Sequence, residues 1–174
     1  YYVSSFSRTV NGKTVYANNY MYSNIRAWLN GLDGTSYNVS NYEGKGFLDI
    51  AFTEEERNII NTTLVDNTES TTSNNSNGYA CSNTNDKIYL LSYQDYTNED
   101  YGFSLDSNIS KTREVQVTDY VKAKGAWCNK DKNTSSYWTR TPSDEYAYAA
   151  WNVNSGGKLS EYASVITSFN KLVL

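Results

Sequence analysis

Residues 137–165 read YWTRTPSDEYAYAAWNVNSGGKLSEYASV, and this stretch decides the fold class. From Tyr146 onward the side chains alternate with a period of two, which is the period of a β-strand. The triplet Ser155-Gly156-Gly157 interrupts the alternation and supplies glycines for a tight turn. The sequence therefore predicts antiparallel strands on both sides of the triplet, the later one running toward Val165-Ile166.

Segments nearer the N-terminus predict short elements of both kinds. The pair Asn11-Gly12 lies in an alternating stretch and indicates a β-hairpin. Residues 22–29 predict a helix ended by Asn30-Gly31, with one face formed by Tyr22, Ile25, Trp28 and Leu29. Thr53-Glu54-Glu55-Glu56 has the pattern of a helix capping box, after which Ile59 and Ile60 are expected to face the core.

The middle of the chain is mostly polar. Residues 67–85 predict a long solvated loop without a function of its own. Residues 88–91, IYLL, predict a short buried strand; Ser92 with Asp95 predicts a capped helical turn, and residues 118–125, TDYVKAKG, predict another short helix. The sum is one α+β domain over residues 1–174, with short helices first and antiparallel strands last.

Composition narrows the function classes. The 174 residues carry 15 Lys and Arg against 19 Asp and Glu, for a net charge of -4 without a basic cluster. Phosphate binding needs clustered positive charge, so nucleic acid is not an expected partner. No apolar run approaches the roughly 20 residues of a membrane span, and no signal peptide opens the sequence. We expect a mature, soluble, monomeric module of a larger protein without membrane insertion.

Tyrosine and cysteine usage indicates an extracellular setting. The sequence has 17 Tyr and 4 Trp with abundant Asn and Ser, a composition typical of binding surfaces but also of ordinary β-rich extracellular domains. Cys81 and Cys128 lack the CxxC spacing of zinc and thioredoxin-type sites. A disulfide between them would stabilise the fold by roughly 3–4 kcal/mol in an oxidising compartment. Two buried free thiols are the alternative.

Four blocks of sequence, in order, resemble one family. They are YSNIRAWLN at 22–30, AFTEEE at 51–56, DKIYLLS at 86–92 and YWTRTP at 137–142. Together they resemble a large bacterial family of uncharacterised extracellular domains with a Trp-Trp-Leu-Arg-Ser-Pro-like motif near the C-terminus. The resemblance spans residues 20–153. It implies a C-type-lectin-like fold, with short helices packed on a small twisted antiparallel sheet, and a secreted or cell-surface location.

The same fold is the scaffold of variable proteins of diversity-generating retroelements. Carried onto this chain, the resemblance implies a structural motif of Trp138, Arg140 and Pro142 and a changeable ligand surface between Tyr146 and Tyr162. The chain departs from the family pattern in having Tyr137 for the first Trp, and SFNKLVL at 168–174 for a Gly-Val-Arg-Pro-Ala-Leu ending. A planar guanidinium suits a loop-fixing role, and the candidate carboxylate partners of Arg140 are Asp86, Asp95 and Glu56.

The candidate ligand surface follows from the alternation. Side chains on the parity opposite Trp151 are expected to contact a ligand: Tyr146, Tyr148, Asn152, Asn154, Lys158, Ser160 and Tyr162. Trp151 is a further candidate contact. The favoured alternative for Trp151, and for Trp138, is a core position that holds the strands against the helices.

Catalytic and metal chemistry has little support in the sequence. The chain has no His, which excludes Ser-His-Asp and Cys-His sites and any zinc site that needs imidazole. Asp144, Glu145 and Glu161 could in principle serve a glycoside hydrolase. Calcium-binding motifs of lectins are missing, and residues 131–135 lack the Gly and Glu of an EF-hand loop. We expect no enzyme and no cofactor, with calcium left open but unsupported.

These observations favour a non-catalytic extracellular module that binds carbohydrate through exposed aromatic residues. An adhesin or receptor-type domain that binds a protein, including a diversified variable protein, is the first alternative. A glycoside hydrolase without histidine is the second.

Overall fold

A computed structural model describes residues 6–37 and 39–165. It begins with a β-hairpin in which β1 (Ser7–Val10) pairs antiparallel with β2 (Lys13–Tyr16). Asn11 and Gly12 have φ values of 50° and 76°, the two positive values that a type I′ turn requires. The predicted hairpin is confirmed.

Helix α1 (Asn24–Asn30) ends at the predicted Asn30-Gly31 signal but begins two residues later than expected. The Ser23 hydroxyl accepts a hydrogen bond from the Arg26 backbone N–H, and Gly31 closes the helix in the left-handed conformation. The buried face differs from the expected one, because Arg26, Ala27 and Leu29 are its buried residues. A buried arginine was not expected; its guanidinium forms an ion pair of 2.8 Å with Asp86.

Helices α2 (Phe47–Ala51) and α3 (Glu54–Ile59) follow. The capping box at α3 is confirmed, since the Thr53 N–H donates to Glu56 Oε2 and the Glu56 N–H donates to Thr53 Oγ1. The expectation that Ile59 faces the core is wrong, because that side chain is 79% exposed. Arg57 is the half-buried residue of this short helix, and its guanidinium donates a hydrogen bond to the Asp49 carbonyl.

Helices α4 (Tyr93–Tyr96) and α5 (Asp119–Ala123) confirm two further predictions. Ser92 caps α4 reciprocally with Asp95, and the Thr118 hydroxyl accepts from the Val121 N–H at the start of α5. In each case a side-chain oxygen satisfies a backbone donor that the helix itself leaves free.

The strands form four antiparallel sheets in the described ranges. Besides the hairpin, β3 (Thr63–Val65) pairs with β4 (Thr84–Asp86), and β5 (Val115–Gln116) pairs with β6 (Thr134–Ser135). The main sheet has the order β7 (Tyr137–Pro142), β8 (Ala149–Val153), β9 (Leu159–Ser164). The chain is therefore of the α+β class. The predicted order of helices first and strands last is wrong, because strand pairs also lie among the helices.

Two predictions for the middle of the chain are also wrong. Residues 88–91 form no strand; β4 precedes them, and the Leu90 and Leu91 carbonyls instead accept hydrogen bonds from Arg140. The loop over residues 67–85 is not simply solvated, because Asn77 is buried and its amide donates to the Pro142 carbonyl at 2.9 Å. Hydrogen bonds from polar side chains can fix a loop to the protein without any apolar residue. The pattern of hydrophobic residues therefore does not predict such a loop.

The hydrophobic core lies on one face of the main sheet. Val153, Leu159 and Tyr96 form its buried centre, with partly buried apolar side chains around them: Leu91, Tyr93, Phe103, Tyr137 and Trp151. No helix in the described part of the chain has the length and apolar character needed to cross a membrane. Ile166, toward which the last strand is predicted to run, lies outside the described residues, as do residues 167–174.

Candidate functional site

The expected exposed face of β8 is covered. Ala150 and Asn152, on the side predicted to meet a ligand, are both buried, and Asn152 is only 8% exposed. β8 is the middle strand of its sheet, with the hydrophobic core on one face and residues 17–25 opposite Ala150 on the other. Alternation along a strand predicts which side chains are exposed only where one face of the sheet meets solvent. Both faces of β8 are covered.

Several predicted contact residues therefore have structural roles. Trp151 packs edge-on against Tyr93, with 4.7 Å between the ring centroids, and lies beside the core. The prediction that Trp151 contacts a ligand is therefore corrected to the core alternative. Asn152 and Ser160 face each other in the register of β8 and β9. Asn154 Oδ1 accepts from the N–H groups of Gly156 and Lys158 and so builds the turn between the strands.

Three tyrosines of the predicted surface do come together. The Tyr146 ring lies 5.4 Å from the Tyr148 ring and 6.0 Å from the Tyr162 ring, measured between centroids. Phe6 extends the group, with its ring 4.8 Å from that of Tyr148. We call these four residues the aromatic cluster. Tyr162 is 66% exposed and Tyr146 is 37% exposed, so two rings present much of their area to solvent.

The aromatic cluster is held by the turn before β8. The Ser143 hydroxyl accepts hydrogen bonds from the N–H groups of Glu145 and Tyr146, both at 3.1 Å. Asn18 donates its side-chain amide to the Tyr146 carbonyl at 3.0 Å, and its backbone N–H donates to the Ala147 carbonyl. These contacts fix the turn through its backbone and do not use the Tyr146 ring.

Phe6 and Asn18 were not predicted as parts of the site. Both belong to the N-terminal hairpin region, more than a hundred residues before the tyrosines in sequence. No local pattern indicates this approach, because it depends on packing between distant segments. Lys158, by contrast, is exposed as predicted but lies at the turn between β8 and β9.

Three carboxyl groups border the aromatic cluster. Glu161 Oε1 accepts from the Ser143 hydroxyl at 2.8 Å and from the Asp144 N–H at 3.0 Å. Partial burial raises the pKa of Glu161, and its side-chain contact with Asp144 raises it further. The nearby Glu145 carboxylate raises the pKa of the Tyr146 phenol through its charge and a hydrogen bond.

These carboxyl groups give the surface a negative rim. Within residues 6–37 and 39–165, no lysine or arginine forms an ion pair with Asp144, Glu145 or Glu161. Asp144 instead accepts a hydrogen bond of 2.6 Å from the amide of Asn74. Such a rim accepts hydrogen bonds from hydroxyl and amine groups and repels anionic ligands.

The residues of the predicted structural motif lie together on β7. Arg140 is 7% exposed and donates to Asp95 Oδ2 at 2.7 Å, to the Leu90 carbonyl at 2.8 Å and to the Asp66 carbonyl at 3.1 Å. Of the three candidate carboxylates, Asp95 is thus the partner. Trp138 is half-buried opposite Asn152.

The two cysteines are free thiols, which corrects the predicted disulfide. Their surroundings differ: Cys128 Sγ contacts Asn129 and Asn133, whereas Cys81 lies beside Met21, and burial raises the pKa of its thiol. Among the residues that the structure describes, no group of three Cys, Asp or Glu side chains is arranged to hold a metal ion.

Comparison with known proteins gives one match. A family model described as "Domain of unknown function (DUF6273)" matches residues 2–170. No curated protein and no solved structure matches the chain.

Proposed function

The chain belongs to the DUF6273 family, and from this premise we propose that it is a non-catalytic module that binds carbohydrate through the aromatic cluster. The observation that carries the proposal is the contact of Tyr146, Tyr148 and Tyr162 on one surface, with Tyr162 66% exposed. Tyrosine rings can stack on the apolar faces of sugar rings, and adjacent polar groups can fix the sugar hydroxyls.

The carboxyl groups refine the expected ligand. Asp144, Glu145 and Glu161 offer acceptors to hydroxyl or amine hydrogens and have no cationic partner in the described ranges. A neutral or amine-bearing glycan is therefore favoured over one with uronic acid or sulfate groups, which would meet like charge.

Glycoside hydrolysis is not proposed. The carboxyl groups of Asp144 and Glu161 are in direct side-chain contact. Glycosidases hold their two carboxyl groups about 5–9.5 Å apart so that the scissile bond, and in inverting enzymes a water, fits between them. A pair in contact leaves no such space. The raised pKa of Glu161 follows from partial burial and from Asp144 and does not require a catalytic role.

Our proposal also includes a C-type-lectin-like fold and a secreted or cell-surface location for a bacterial protein. Its support is the resemblance of the four sequence blocks together with the arrangement of short helices around a small antiparallel sheet. The whole of residues 1–174 is taken as one domain, as a single family model over residues 2–170 suggests.

A protein ligand is the second candidate. A groove of about 410 Å³ lies beside β3, away from the aromatic cluster, and exposes Leu64, Tyr89 and Tyr101 around the Asp95–Arg140 ion pair. Exposed aromatic and aliphatic side chains at a groove are common anchors in protein interfaces.

Affinity electrophoresis in gels that contain a soluble polysaccharide tests the proposal. We expect retardation by at least one neutral or amine-bearing polymer, among xylan, galactomannan, β-glucan and chitosan, and none by polygalacturonate. Equal mobility in all of these gels and in a polymer-free gel would contradict carbohydrate binding.

A further inference from the structure

A pocket lies beside the turn that carries the aromatic cluster. It has a volume of about 230 Å³ and lies between the start of α1 and the main sheet. Its walls are largely aromatic and aliphatic: Trp138, Tyr20, Tyr22, Ile25, Leu90 and Ala150. The volume is below the roughly 300–1000 Å³ of sites for drug-sized ligands, which restricts an occupant to about one ring.

Most polar groups around the pocket are already bonded within the protein. Ser23 Oγ donates to the Tyr20 carbonyl, and the Thr139 hydroxyl donates to the Trp151 carbonyl. Asn24 Oδ1 accepts from the Ser40 N–H. The charge of Arg140 is neutralised by Asp95, so the pocket does not present an unpaired cation to an anionic ligand.

Two polar atoms remain without a hydrogen-bond partner. Asn18 is only 5% exposed, and its Oδ1 is buried and unpartnered while its Nδ2 is used on the neighbouring turn. The Tyr20 hydroxyl is buried and unpartnered too; the Leu90 backbone lies near it without completing a hydrogen bond. Buried polar groups are nearly always satisfied by protein, water or ligand, so two unsatisfied atoms on residues that line one pocket favour a polar occupant.

The chemistry of these two atoms specifies the group that they would bind. Asn18 Oδ1 can only accept a hydrogen bond, whereas a phenol can donate one. Burial raises the pKa of the Tyr20 phenol, so this group keeps its proton at neutral pH and remains a donor. A ligand hydroxyl has the matching chemistry, since it can donate to Asn18 Oδ1 and accept from the Tyr20 phenol.

We propose that this pocket binds the terminal sugar ring of a glycan, with one hydroxyl between Asn18 and Tyr20 and an apolar face of the ring on Trp138. The proposal rests on carbohydrate binding as the proposed function and adds a subsite to it. Asn18 joins the two sites, because this residue lines the pocket while its amide nitrogen donates to the Tyr146 carbonyl. A glycan could thus insert its end here and lay the following units on the aromatic cluster.

The test uses single sugars, which are too small to span both sites. Saturation-transfer NMR would be recorded with methyl α-mannoside, methyl β-glucoside, methyl β-galactoside and methyl β-N-acetylglucosaminide. Two variants fill the pocket from opposite walls, Ala150→Leu from the sheet and Ile25→Phe from α1. Ala126→Leu is the control, because this half-buried alanine lies outside the pocket lining.

We expect wild type and Ala126→Leu to bind at least one methyl glycoside, and both pocket-filling variants to bind it at least tenfold more weakly. The Tyr146→Ala/Tyr162→Ala variant should keep this binding, since neither ring lines the pocket. If one filling variant does not fold, as judged by circular dichroism, the other decides.

Two results would overturn the subsite: wild type that binds none of the glycosides, or a folded filling variant with unchanged signals. If a polysaccharide retards the wild type in the affinity gels, either of these two results leaves the proposed function intact. If no polysaccharide retards the wild type, carbohydrate binding itself is contradicted.

Discussion

Replacing Arg140 by lysine tests whether the planar guanidinium of Arg140 holds β7 to the neighbouring loops. The guanidinium donates from Nη1 to Asp95 and Leu90 and from Nε and Nη2 to the Asp66 carbonyl, with distances between 2.7 and 3.3 Å. A lysine ammonium is a point charge and can keep the Asp95 pair but not the whole set. At least one of the two partly buried carbonyls then lacks its donor.

The expected loss in the free energy of unfolding follows from these contacts. A hydrogen bond from a charged donor contributes roughly 1.5–3 kcal/mol, and because the two carbonyls are only partly buried, the loss of both bonds gives about 2–4 kcal/mol for Arg140→Lys. For a chain of 174 residues this corresponds to a melting temperature lower by roughly 4–16 °C. A typical domain has about 5–15 kcal/mol of stability, so we expect the variant to fold.

Urea unfolding followed by tryptophan fluorescence measures this difference. The matched control is Arg57→Lys, because Arg57 is half-buried and uses a single nitrogen, Nη1, toward the Asp49 and Phe52 carbonyls, which an ammonium can replace. We expect the control to remain within about 1 kcal/mol of wild type. An Arg140→Lys variant as stable as the control would refute the role assigned to the guanidinium.

Two further substitutions test local features. Because partial burial and the side-chain contact with Asp144 raise the folded-state pKa of Glu161, the folded protein loses stability as pH rises from about 4 through that pKa. Glu161→Gln should therefore become more stable relative to wild type as pH rises through this range, whereas a difference independent of pH would contradict the raised pKa. Gly157 has a φ of 76°, and a Cβ there would lie 1.9 Å from the Ser110 carbonyl oxygen, so Gly157→Ala should lower stability by at least about 1–2 kcal/mol. Gly78→Ala, with open space around the added Cβ, should change it by less than about 0.5 kcal/mol, and equal melting temperatures of the two variants would exclude the clash.

Local signals in the sequence predicted three helix caps, one helix end and the hairpin correctly. Thr53, Ser92 and Thr118 cap helices as their spacing indicates, Gly31 ends α1, and Asn11-Gly12 forms the turn. These features depend on hydrogen bonds between residues three positions apart or on the φ values of two residues. Because their physical cause lies within a few residues of sequence, the local pattern is sufficient to predict them.

Burial could not be predicted in the same way. The alternation through β8 indicated an exposed face, but residues 17–25 cover that face, and Asn152 is buried there. Arg113 is likewise buried, and its guanidinium donates to four backbone carbonyls, those of Tyr96, Ser104, Asn108 and Gly157. Such long-range packing leaves no periodic mark on the sequence.

The candidate site could be predicted only in part, because some of its contacts also depend on long-range packing. Tyr146, Tyr148 and Tyr162 meet because a turn and a neighbouring strand bring them together, and antiparallel pairing made their approach predictable. Phe6 joins them from the N-terminal hairpin. The pairing of Arg140 with Asp95 also required the structure, because three carboxylates were equally acceptable partners in sequence.

The measurement that tests the central claim most directly is the affinity of Tyr146→Ala/Tyr162→Ala for the polysaccharide that retards wild type most. Tyr120→Ala/Trp127→Ala is the matched control, because these aromatic residues are 70% and 54% exposed and lie outside both the cluster and the groove beside β3. Loss of two contact tyrosines should weaken binding by at least about 2 kcal/mol, roughly thirtyfold, with little change in melting temperature. If the cluster variant binds as tightly as wild type, or if both double variants lose affinity equally, the aromatic cluster is not the binding surface.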